Sequence, residues 1–520
     1  METRKTIRQE GLLDQKKLSK LNISICGNKE FSNLRSQIEL MATQLGIKKP
    51  KSYNSLANKD DFIIFLDNSK IDNIDNISYC RVLLLDEGIT LTQDWSKKSG
   101  QPSKIQEPGL SIIAAALVWQ EILRQTRVIL PIEIPKKYIN INLRIDPSTF
   151  TFDNLKEHIS VLGLNDKEVD YKVLERTDSS GHLVINIRLD EGNKIADNVL
   201  DLFRISSKSV DERFHQPTEI KITIPRVDKK LSGSVIFAGV GGLGTWALDT
   251  FSKGIINSNS LGDKIKIDII DPDTSIELHN LNRQVLYDEI DIGHPKAEKA
   301  AFKISKILPN AQINSYIGTL NLTHLESLNS NILSNSYEDE EDEIDDEEFI
   351  TSNLNTEFKE IIERTDVILC GVDNLRARTV LNAISSRCNI PMINAGAQGF
   401  KGNFDIFNQQ KSCMLCRYGL QAVHNSRPMS CQEDGEIPFG SIVTSTAIFG
   451  ALEGLALISI MARDGSSEKW PSNIRWNGMM NQFNFIEDKE YGIFSNIFLP
   501  QGNHLEHLNI KLYDNQESIK

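Results

Sequence analysis

The sequence predicts an α/β protein that contains two doubly wound domains and a small α+β insert between them. Three observations predict this fold class: a glycine-rich turn after an apolar strand, an earlier set of segments in the same order, and alternating strands between the two sets. The chain has 520 residues, which exceeds the length at which single cores stop growing, so two or three domains are expected.

The glycine-rich turn reads Gly239-Val-Gly-Gly-Leu-Gly244 and directly follows the apolar strand that begins near Val235. Such a turn lets the backbone approach a ligand closely and presents a helix amino terminus, which suits a phosphate group. Many nucleotide-binding folds share this turn, so it is not specific by itself. The next apolar strand, residues 265–270, ends at Asp271, where a doubly wound fold presents an acid to a ribose hydroxyl.

The order of segments around this turn occurs twice in the chain. In both copies a Lys-Lys-Leu-Ser segment precedes the first strand, an Asp-Asn pair follows a later strand, and a proline opens a long apolar helix. The early copy has Gly27-Asn-Lys-Glu-Phe31 after its first strand and lacks the glycines of the later copy. We therefore predict an inactive nucleotide-type domain at residues 1–128 and an active one at residues 227–520.

The insert is predicted at residues 129–226. Residues 138–145, 182–189 and 219–224 alternate with period two, as half-buried strands do, and helix-like segments occupy residues 153–162 and 193–206. No reactive group stands out in this region.

An acidic run at residues 337–348 interrupts the active domain. We predict that it is a solvated, self-repelling loop, with recruitment of a basic partner as the alternative.

Charged side chains follow the glycine turn in a fixed order. A triphosphate needs positive charge near its β and γ groups, and Arg283 and Lys296 would supply it. Asp373 comes just past a buried strand, at the ligand-binding edge of the sheet, where a carboxylate is suited to hold Mg²⁺ with the phosphates. The alternative for Arg283 and Lys296 is an ordinary surface pair.

The composition argues against several classes of protein. The formal net charge of −13, without a basic face, argues against a nucleic-acid partner. No apolar run approaches the length needed to span a bilayer, and the amino terminus lacks the apolar core of a signal peptide, so no membrane partner is expected. Seven cysteines, two of them in Cys413-x-x-Cys416, indicate a reducing compartment, and we expect a cytoplasmic protein.

Taken together, the motifs resemble the adenylation domain of the ThiF/MoeB and ubiquitin-activating enzyme superfamily. The resemblance is strong over residues 229–465 and weak over residues 1–128. It implies two Rossmann-like, ThiF-type domains that form an intramolecular pseudodimer, and it implies that ATP and Mg²⁺ bind while the C-terminal glycine of a ubiquitin-like protein is adenylated. Besides the glycine turn, the resemblance rests on four motifs that follow it in sequence: Asp271-Pro-Asp273, Asn280-Leu-Asn-Arg-Gln284, Gly293-His-Pro-Lys296 and Gly371-Val-Asp-Asn374.

The resemblance also implies roles for single residues. Asp373 would hold the metal, and Arg8 of the early copy occupies the place of an arginine that a partner domain contributes in many members. His279 departs from the pattern, because a serine is common at this position. The nucleotide-binding residues implied in this way are Gly239, Gly241, Gly242, Gly244, Asp271, Asn280, Arg283, Gln284, Lys296, Asp373, Asn374 and Arg8.

Three cysteines carry the remaining chemistry that the resemblance implies. Cys431 lies in a polar loop, residues 411–436, where the family places a cysteine that takes the activated carboxyl as a thioester. A bystander thiol is the alternative. Cys413 and Cys416 resemble half of a zinc site, but a structural zinc wants four ligands and no second pair follows, so bound zinc is the less favoured interpretation. The other four cysteines lie in or beside apolar strands, and we expect them to be buried.

The layout resembles the compact bacterial ubiquitin-activating enzymes of antiphage ubiquitin-like conjugation operons (BilD-type). This implies transfer of the ubiquitin-like protein from Cys431 to a conjugating enzyme. Whether two copies of the chain form a homodimer is left undecided by the sequence. The main alternative is a ThiF/MoeB-like adenylyltransferase that acts on a sulfur-carrier protein or peptide without a thioester. A nicotinamide-dependent oxidoreductase would leave Arg283, Lys296 and Asp373 without a purpose, and a non-catalytic scaffold suits only the early copy.

Overall fold

A computed structural model shows the chain as two compact units. The larger unit comprises Met1–Leu130, Pro217–Lys411 and Ser426–Phe485, and the smaller comprises Pro131–Gln216, Ser412–Asn425 and Ile486–Lys520. The structure describes residues 6–9, 11–27, 31–53, 60–67, 77–86, 88–95, 103, 107–130, 138–145, 170–177, 183–190, 217–225, 230–258, 264–320, 354–373, 375–408, 414 and 440–486.

The first sheet of the larger unit has six strands: β1 (Ile23–Cys26), β2 (Lys51–Ser52), β3 (Phe62–Phe65), β4 (Ser78–Leu85), β5 (Gly88–Thr92) and β9 (Ile220–Thr223). They lie in the order β2-β1-β3-β4-β5-β9. The first four are parallel to one another, and β5 and β9 add antiparallel strands at one edge. β9 was predicted as a strand of the insert, and the structure places it beside β5 in this sheet.

The second sheet has eight strands: β10 (Gly233–Ala238), β11 (Ile265–Asp271), β12 (Gln312–Ile317), β13 (Val367–Cys370), β14 (Met392–Gln398), β15 (Lys401–Phe407), β16 (Asn473–Asn477) and β17 (Gln482–Ile486). Their order is β12-β11-β10-β13-β14-β15-β16-β17. β10 to β14 form the parallel part, and β15 and β16 add antiparallel strands. The chain runs outward in one direction from β10 to β12 and resumes on the other side at β13. The carboxyl end of β10 therefore lies where doubly wound folds bind ligands.

The two sheets share one strand order. β2-β1-β3-β4-β5-β9 in the first corresponds to β11-β10-β13-β14-β15-β16 in the second, with the same parallel and antiparallel pairings. This is the arrangement that the sequence repeat predicts, and the α/β class is confirmed. The intramolecular pseudodimer and the boundaries at residues 128 and 226 stay predictions.

Helices surround both sheets. They are α1 (Gln15–Leu18), α2 (Ser32–Leu45), α3 (Pro108–Gln125), α4 (Gly242–Asn257), α5 (Lys296–Ile307), α6 (Leu354–Arg364), α7 (Leu375–Cys388) and α8 (Val443–Ala462). α3, α4 and α8 meet closely, since a Cβ on Gly109 of α3 would lie 2.8 Å from both Leu455 and Thr250. Hydrogen bonds also join α3 to α8, because the Gln120 side chain accepts from the Thr444 hydroxyl (2.9 Å). The same side chain donates to the Gly478 carbonyl (2.8 Å).

Helix α8 corrects one expectation from the sequence. Its 20 residues have a mean hydropathy of 1.7, so by length and composition it could cross a membrane, although no such run was expected. However, 94% of this stretch is buried inside the protein, as is usual for a core helix, so its length is weak evidence for a membrane span. Its single acid, Glu453, is fully buried, and burial raises the pKa of that carboxyl well above its usual range, which favours the neutral acid.

The smaller unit contains a three-stranded antiparallel sheet. Its strands are β6 (Tyr138–Ile145), β7 (Asp170–Thr177) and β8 (Leu183–Asp190), in the order β6-β8-β7. β6 and β8 lie where the alternating pattern predicts strands, whereas β7 was not predicted. The predicted helical segments 153–162 and 193–206, and the acidic loop 337–348, lie outside the described residues.

Candidate active site

Three glycines shape the turn at the carboxyl end of β10. Gly239 has a φ of +92°, which favours glycine, and a Cβ there would lie 2.8 Å from the carbonyl carbon of Gly371. A Cβ on Gly244 would collide with the Gly239 carbonyl oxygen, and one on Gly371 would lie 2.7 Å from the same oxygen. The turn therefore packs directly on the end of β13, and Gly371 belongs to it although the sequence motif did not include it.

Gly241 differs from these three. It is the residue before the first turn of α4, and a Cβ there would have only the Gln284 amide nitrogen nearby, at 3.9 Å. The protein itself therefore leaves room for a side chain at Gly241. A glycine in such an open position, at a helix amino terminus, fits the close approach of a phosphate group.

Because Gly244 has no room for a methyl group and Gly241 has room, alanine at the two positions should affect stability and ATP binding differently. Gly244→Ala is expected to lower the free energy of unfolding by about 1–3 kcal/mol, the usual cost of a buried methyl group without room. Gly241→Ala should cost less than about 1 kcal/mol of stability and yet weaken ATP binding. Urea unfolding and nucleotide titration measure the two effects, and equal ATP affinity of Gly241→Ala and the wild type would contradict the close approach.

Asp271 holds the turn in shape. One carboxylate oxygen accepts a hydrogen bond from the Val240 amide (2.7 Å) and the other accepts from the Asp273 amide (2.9 Å). The side chain is buried, and burial raises the pKa of its carboxyl, while the Lys296 ammonium acts in the opposite direction. The ribose contact implied for Asp271 stays a prediction.

A loop after β11 places Arg283 at the amino terminus of α4. The Arg283 guanidinium donates to the His279 carbonyl (2.9 Å) and to the Asn282 side chain (3.0 Å). Its own carbonyl accepts from the indole of Trp246, which lies on α4 (2.9 Å). Arg283 is buried and lies against Gly242, since a Cβ there would be 3.6 Å from the Arg283 Nε. It is therefore a buried cation beside the glycine turn and not part of an exposed pair.

Lys296 is the first residue of α5 and is also buried. Its ammonium pairs with the Asp273 carboxylate, and its amide donates to the Asp273 carbonyl (3.1 Å). Tyr287, which the sequence reasoning missed, joins this helix start to the turn, because its hydroxyl lies 3.0 Å from the Val240 carbonyl oxygen and 3.2 Å from that of Lys296. Two helix amino termini, those of α4 and α5, thus meet near two buried cations.

Arg8 reaches this loop from the opposite end of the chain. It lies in a single helical turn, Ile7–Gln9, and its guanidinium is 3.3 Å from the ring nitrogen Nε2 of His279. Its carbonyl accepts from the Ser441 amide (2.9 Å), and only 4% of its surface is exposed. Arg8 therefore lies beside the loop that holds Arg283, and the role that the resemblance implies for it stays a prediction.

Asp373 lies just past β13 and is exposed. Nearby, Arg378 donates to the Asn394 side chain (2.8 Å) and contacts the carbonyl oxygens of Val372 and Ala395, which ties the ends of β13 and β14 together. No cluster of three or more His, Cys, Asp or Glu side chains suited to a metal occurs within the described part of the chain. One carboxylate is enough for Mg²⁺, which takes one or two carboxylates together with substrate phosphates.

Several buried polar atoms next to the turn suit a polar ligand. Within the described residues, the Nε of Arg8, the amide nitrogen of Asn282 and the amide oxygen of Gln284 are buried and have no hydrogen-bond partner. Buried polar groups are usually paired, so three such atoms, two on the loop beside the turn and one on Arg8, which contacts that loop, fit a site for a polar molecule such as ATP.

The cysteines divide into two groups. Cys431, Cys413 and Cys416, together with Asn374, lie outside the described residues. Cys80 and Cys370 are buried as expected, and burial raises the pKa of the Cys370 thiol to about 11. Cys26 and Cys388 are only partly buried.

Several curated proteins are similar to part of the chain. The chain is 24% identical over 262 residues to the sulfur carrier protein ThiS adenylyltransferase of Escherichia coli, which covers 48% of this chain and 85% of that protein. It is 28% identical over 232 residues to the adenylyltransferase and sulfurtransferase UBA4 of Kluyveromyces lactis, covering 44% and 42%. It is 24% identical over 200 residues to the NEDD8-activating enzyme E1 catalytic subunit of Caenorhabditis elegans, covering 36% of each.

Among solved structures, the crystal structure of Escherichia coli MccB gives a TM-score of 0.36 at 18% identity, over 50% of this chain and 64% of that one. A score of this size supports no inference. The model of the ThiF family matches residues 221–491, just over half of the 520 residues, and this region holds both the glycine turn and the buried cations. The chain therefore belongs to the ThiF family.

Proposed function

We propose that this chain is an ATP-dependent adenylyltransferase that activates the carboxyl terminus of a ubiquitin-like or sulfur-carrier protein. Membership of the ThiF family supports the proposal, as do relatives that are named adenylyltransferases or activating-enzyme subunits. The observation that carries it is the pair of buried cations, Arg283 and Lys296, beside two helix amino termini at the carboxyl edge of the second sheet. This concentration of positive charge suits a triphosphate.

Each residue of the site has a proposed task. Gly241 and Gly242 bring backbone amides to the phosphates, Arg283 and Lys296 neutralise the phosphate charge, and Asp373 holds Mg²⁺. The metal supplies Lewis-acid polarisation of the phosphates. The substrate carboxylate attacks the α-phosphorus of ATP, pyrophosphate leaves, and an acyl-adenylate forms. Asn280, Gln284 and Asp271 complete the nucleotide site in this proposal.

Lys296 must change partner for this task. In the structure its ammonium pairs with Asp273. A triphosphate that reached the amino terminus of α5 would compete with this carboxylate for the same cation. Before a nucleotide binds, the ion pair with Asp273 means that the buried ammonium of Lys296 is not left unpaired.

The finer proposal is a ubiquitin-activating enzyme of the compact bacterial antiphage type. Two sheets of one topology in a single chain support it, as do relatives named NEDD8-activating and SUMO-activating enzyme subunits. In this proposal residues 1–128 are the inactive domain, residues 129–226 are the insert and residues 227–520 are the active domain. The Cys431 thiolate attacks the acyl-adenylate carbonyl carbon, AMP leaves, and the resulting thioester is passed to a conjugating enzyme.

A second candidate is an adenylyltransferase for a sulfur carrier or peptide, without the thioester. The ThiS adenylyltransferase of Escherichia coli favours it, since 85% of that protein is covered. Both candidates use the same adenylation site and differ only in the fate of the acyl-adenylate.

Replacement of Cys431 separates the two. The wild-type chain, incubated with ATP, Mg²⁺ and a ubiquitin-like protein that ends in glycine, should form a covalent adduct that an excess of a small thiol cleaves by thiolysis. Cys431→Ala should lose the adduct and keep the release of pyrophosphate, and Cys388→Ala, which changes a partly buried helical cysteine, should keep both. An adduct that persists in Cys431→Ala would refute the thioester, whereas pyrophosphate release without any adduct in the wild type would favour the second candidate.

A further inference from the structure

A histidine lies between the two halves of the larger unit and contacts both arginines of the site. His279 and Arg8 are 271 positions apart in sequence, yet Nε2 of His279 lies 3.3 Å from a terminal nitrogen of Arg8. The other ring nitrogen, Nδ1, lies 2.8 Å from a carboxylate oxygen of Glu277. The backbone carbonyl of the same histidine accepts from Arg283 (2.9 Å).

These contacts assign one form to the imidazole ring. An arginine guanidinium has donors and no acceptor, so Nε2 must accept the hydrogen bond from Arg8. The proton of the neutral ring is then on Nδ1, where it donates to the Glu277 carboxylate. A carboxylate that accepts a hydrogen bond from one ring nitrogen commonly fixes the tautomer of a histidine whose other nitrogen is functional.

The electrostatic surroundings favour the same neutral form. Burial, followed by the positive charges of Arg283, Arg8 and Lys296, lowers the pKa of His279 to about 4, and the Asp273 carboxylate acts in the opposite direction. The adjacent Glu277 carboxylate also favours protonation. Burial and the three positive charges outweigh the carboxylates, so the ring is neutral near pH 7 and its Nε2 can accept the hydrogen bond from Arg8.

The guanidinium of Arg8 depends on this contact. Its Nε has no hydrogen-bond partner within the described residues, and the carbonyl contact to Ser441 fixes only its backbone. A long side chain needs a contact near its end to hold one rotamer, because fixing that rotamer costs conformational entropy. His279 provides that contact from the loop that also carries Arg283.

We propose that His279 is a positioning residue: with Glu277 holding its tautomer, it fixes the guanidinium of Arg8, from the early half of the chain, beside Arg283 at the phosphate end of the site. The proposal rests on the adenylation function proposed above. It makes Arg8 part of the site through a hydrogen bond that this particular histidine supplies.

Two amide substitutions test it as a matched pair. The oxygen of a glutamine at position 279 can occupy the place of Nε2 and accept from Arg8, whereas an asparagine reaches only the place of Nδ1. In ATP–pyrophosphate exchange, His279→Asn should therefore lower kcat about 10-fold with the KM for ATP within about threefold, the size expected for one charge-assisted hydrogen bond. His279→Gln should recover most of that loss.

The combination with Arg8→Ala completes the experiment. If His279 acts through Arg8, the double variant Arg8→Ala/His279→Asn should be no slower than Arg8→Ala alone. Its melting temperature without nucleotide should also be no lower than that of Arg8→Ala, which reports the contact without catalysis. Equal losses in the asparagine and glutamine variants, or losses that multiply with Arg8→Ala, would overturn the proposal. A wild-type chain without exchange activity would count against the adenylation function instead, and the melting temperatures would still test the contact.

Discussion

Lys296→Ala should lower the rate of ATP–pyrophosphate exchange at least about 100-fold, the loss typical when one preorganised charge is removed from a reacting group. Lys296 is buried at the first position of α5, so its charge acts where water screens it little. Exchange of labelled pyrophosphate into ATP, measured with a saturating acceptor protein, reports this loss directly.

Lys299→Ala is the matched control. Lys299 lies one helical turn further along α5, is partly exposed and faces Asp291 at 3.9 Å. Its removal takes away the same charge from the same helix without touching the glycine turn. Exchange should stay within about twofold, because the contact with Asp291 is long and Lys303 still pairs with that acid. Loss of activity in both variants would show that the net charge of the helix matters and not the position of Lys296. Retained activity in Lys296→Ala would remove this residue from the phosphate site.

Asp373→Ala should also lower exchange about 100-fold or more, and it should raise the Mg²⁺ concentration needed for half-maximal activity. The carboxylate follows β13 at the edge where the glycine turn lies, and it is exposed to an incoming metal. A titration of Mg²⁺ at fixed ATP measures both effects. An unchanged Mg²⁺ requirement would mean that Asp373 does not hold the metal.

The repeat supplies the control for this experiment. Asp67 follows β3 in the first sheet as Asp373 follows β13 in the second, and both strands lie next to the first strand of their sheet. Asp67→Ala should leave exchange and the Mg²⁺ requirement unchanged, because the early copy lacks the glycine turn. Equal losses in the two variants would contradict the division into an active and an inactive half.

The sequence identified residues whose role follows from the segments directly before and after them in the chain. The glycines of residues 239–244 join the end of a strand to the first turn of a helix, so their spacing alone places a turn at the sheet edge. The alternating pattern likewise identified the strand β9, but it could not identify its neighbour. Alternation shows which side chains share a face, whereas the partner strand depends on tertiary packing.

Contacts between distant segments were beyond sequence reasoning. Gly371 opens one of the motifs behind the resemblance, but its packing on the glycine turn follows only from the position of β13 beside β10. Tyr287 was missed because a tyrosine in a loop has no pattern of its own. Arg8 was proposed only by resemblance to the family, and its contact with His279 joins positions 271 residues apart.

The number of ATP molecules that one chain binds tests the central claim most directly, because it needs no acceptor protein. Calorimetric titration of the full chain with ATP and Mg²⁺ should give one nucleotide per chain, with binding weakened in Lys296→Ala and unchanged in Asp67→Ala, and NAD should not bind. Two nucleotides per chain, no binding of ATP, or binding of NAD in its place would contradict a single ATP site at the glycine turn of the second sheet.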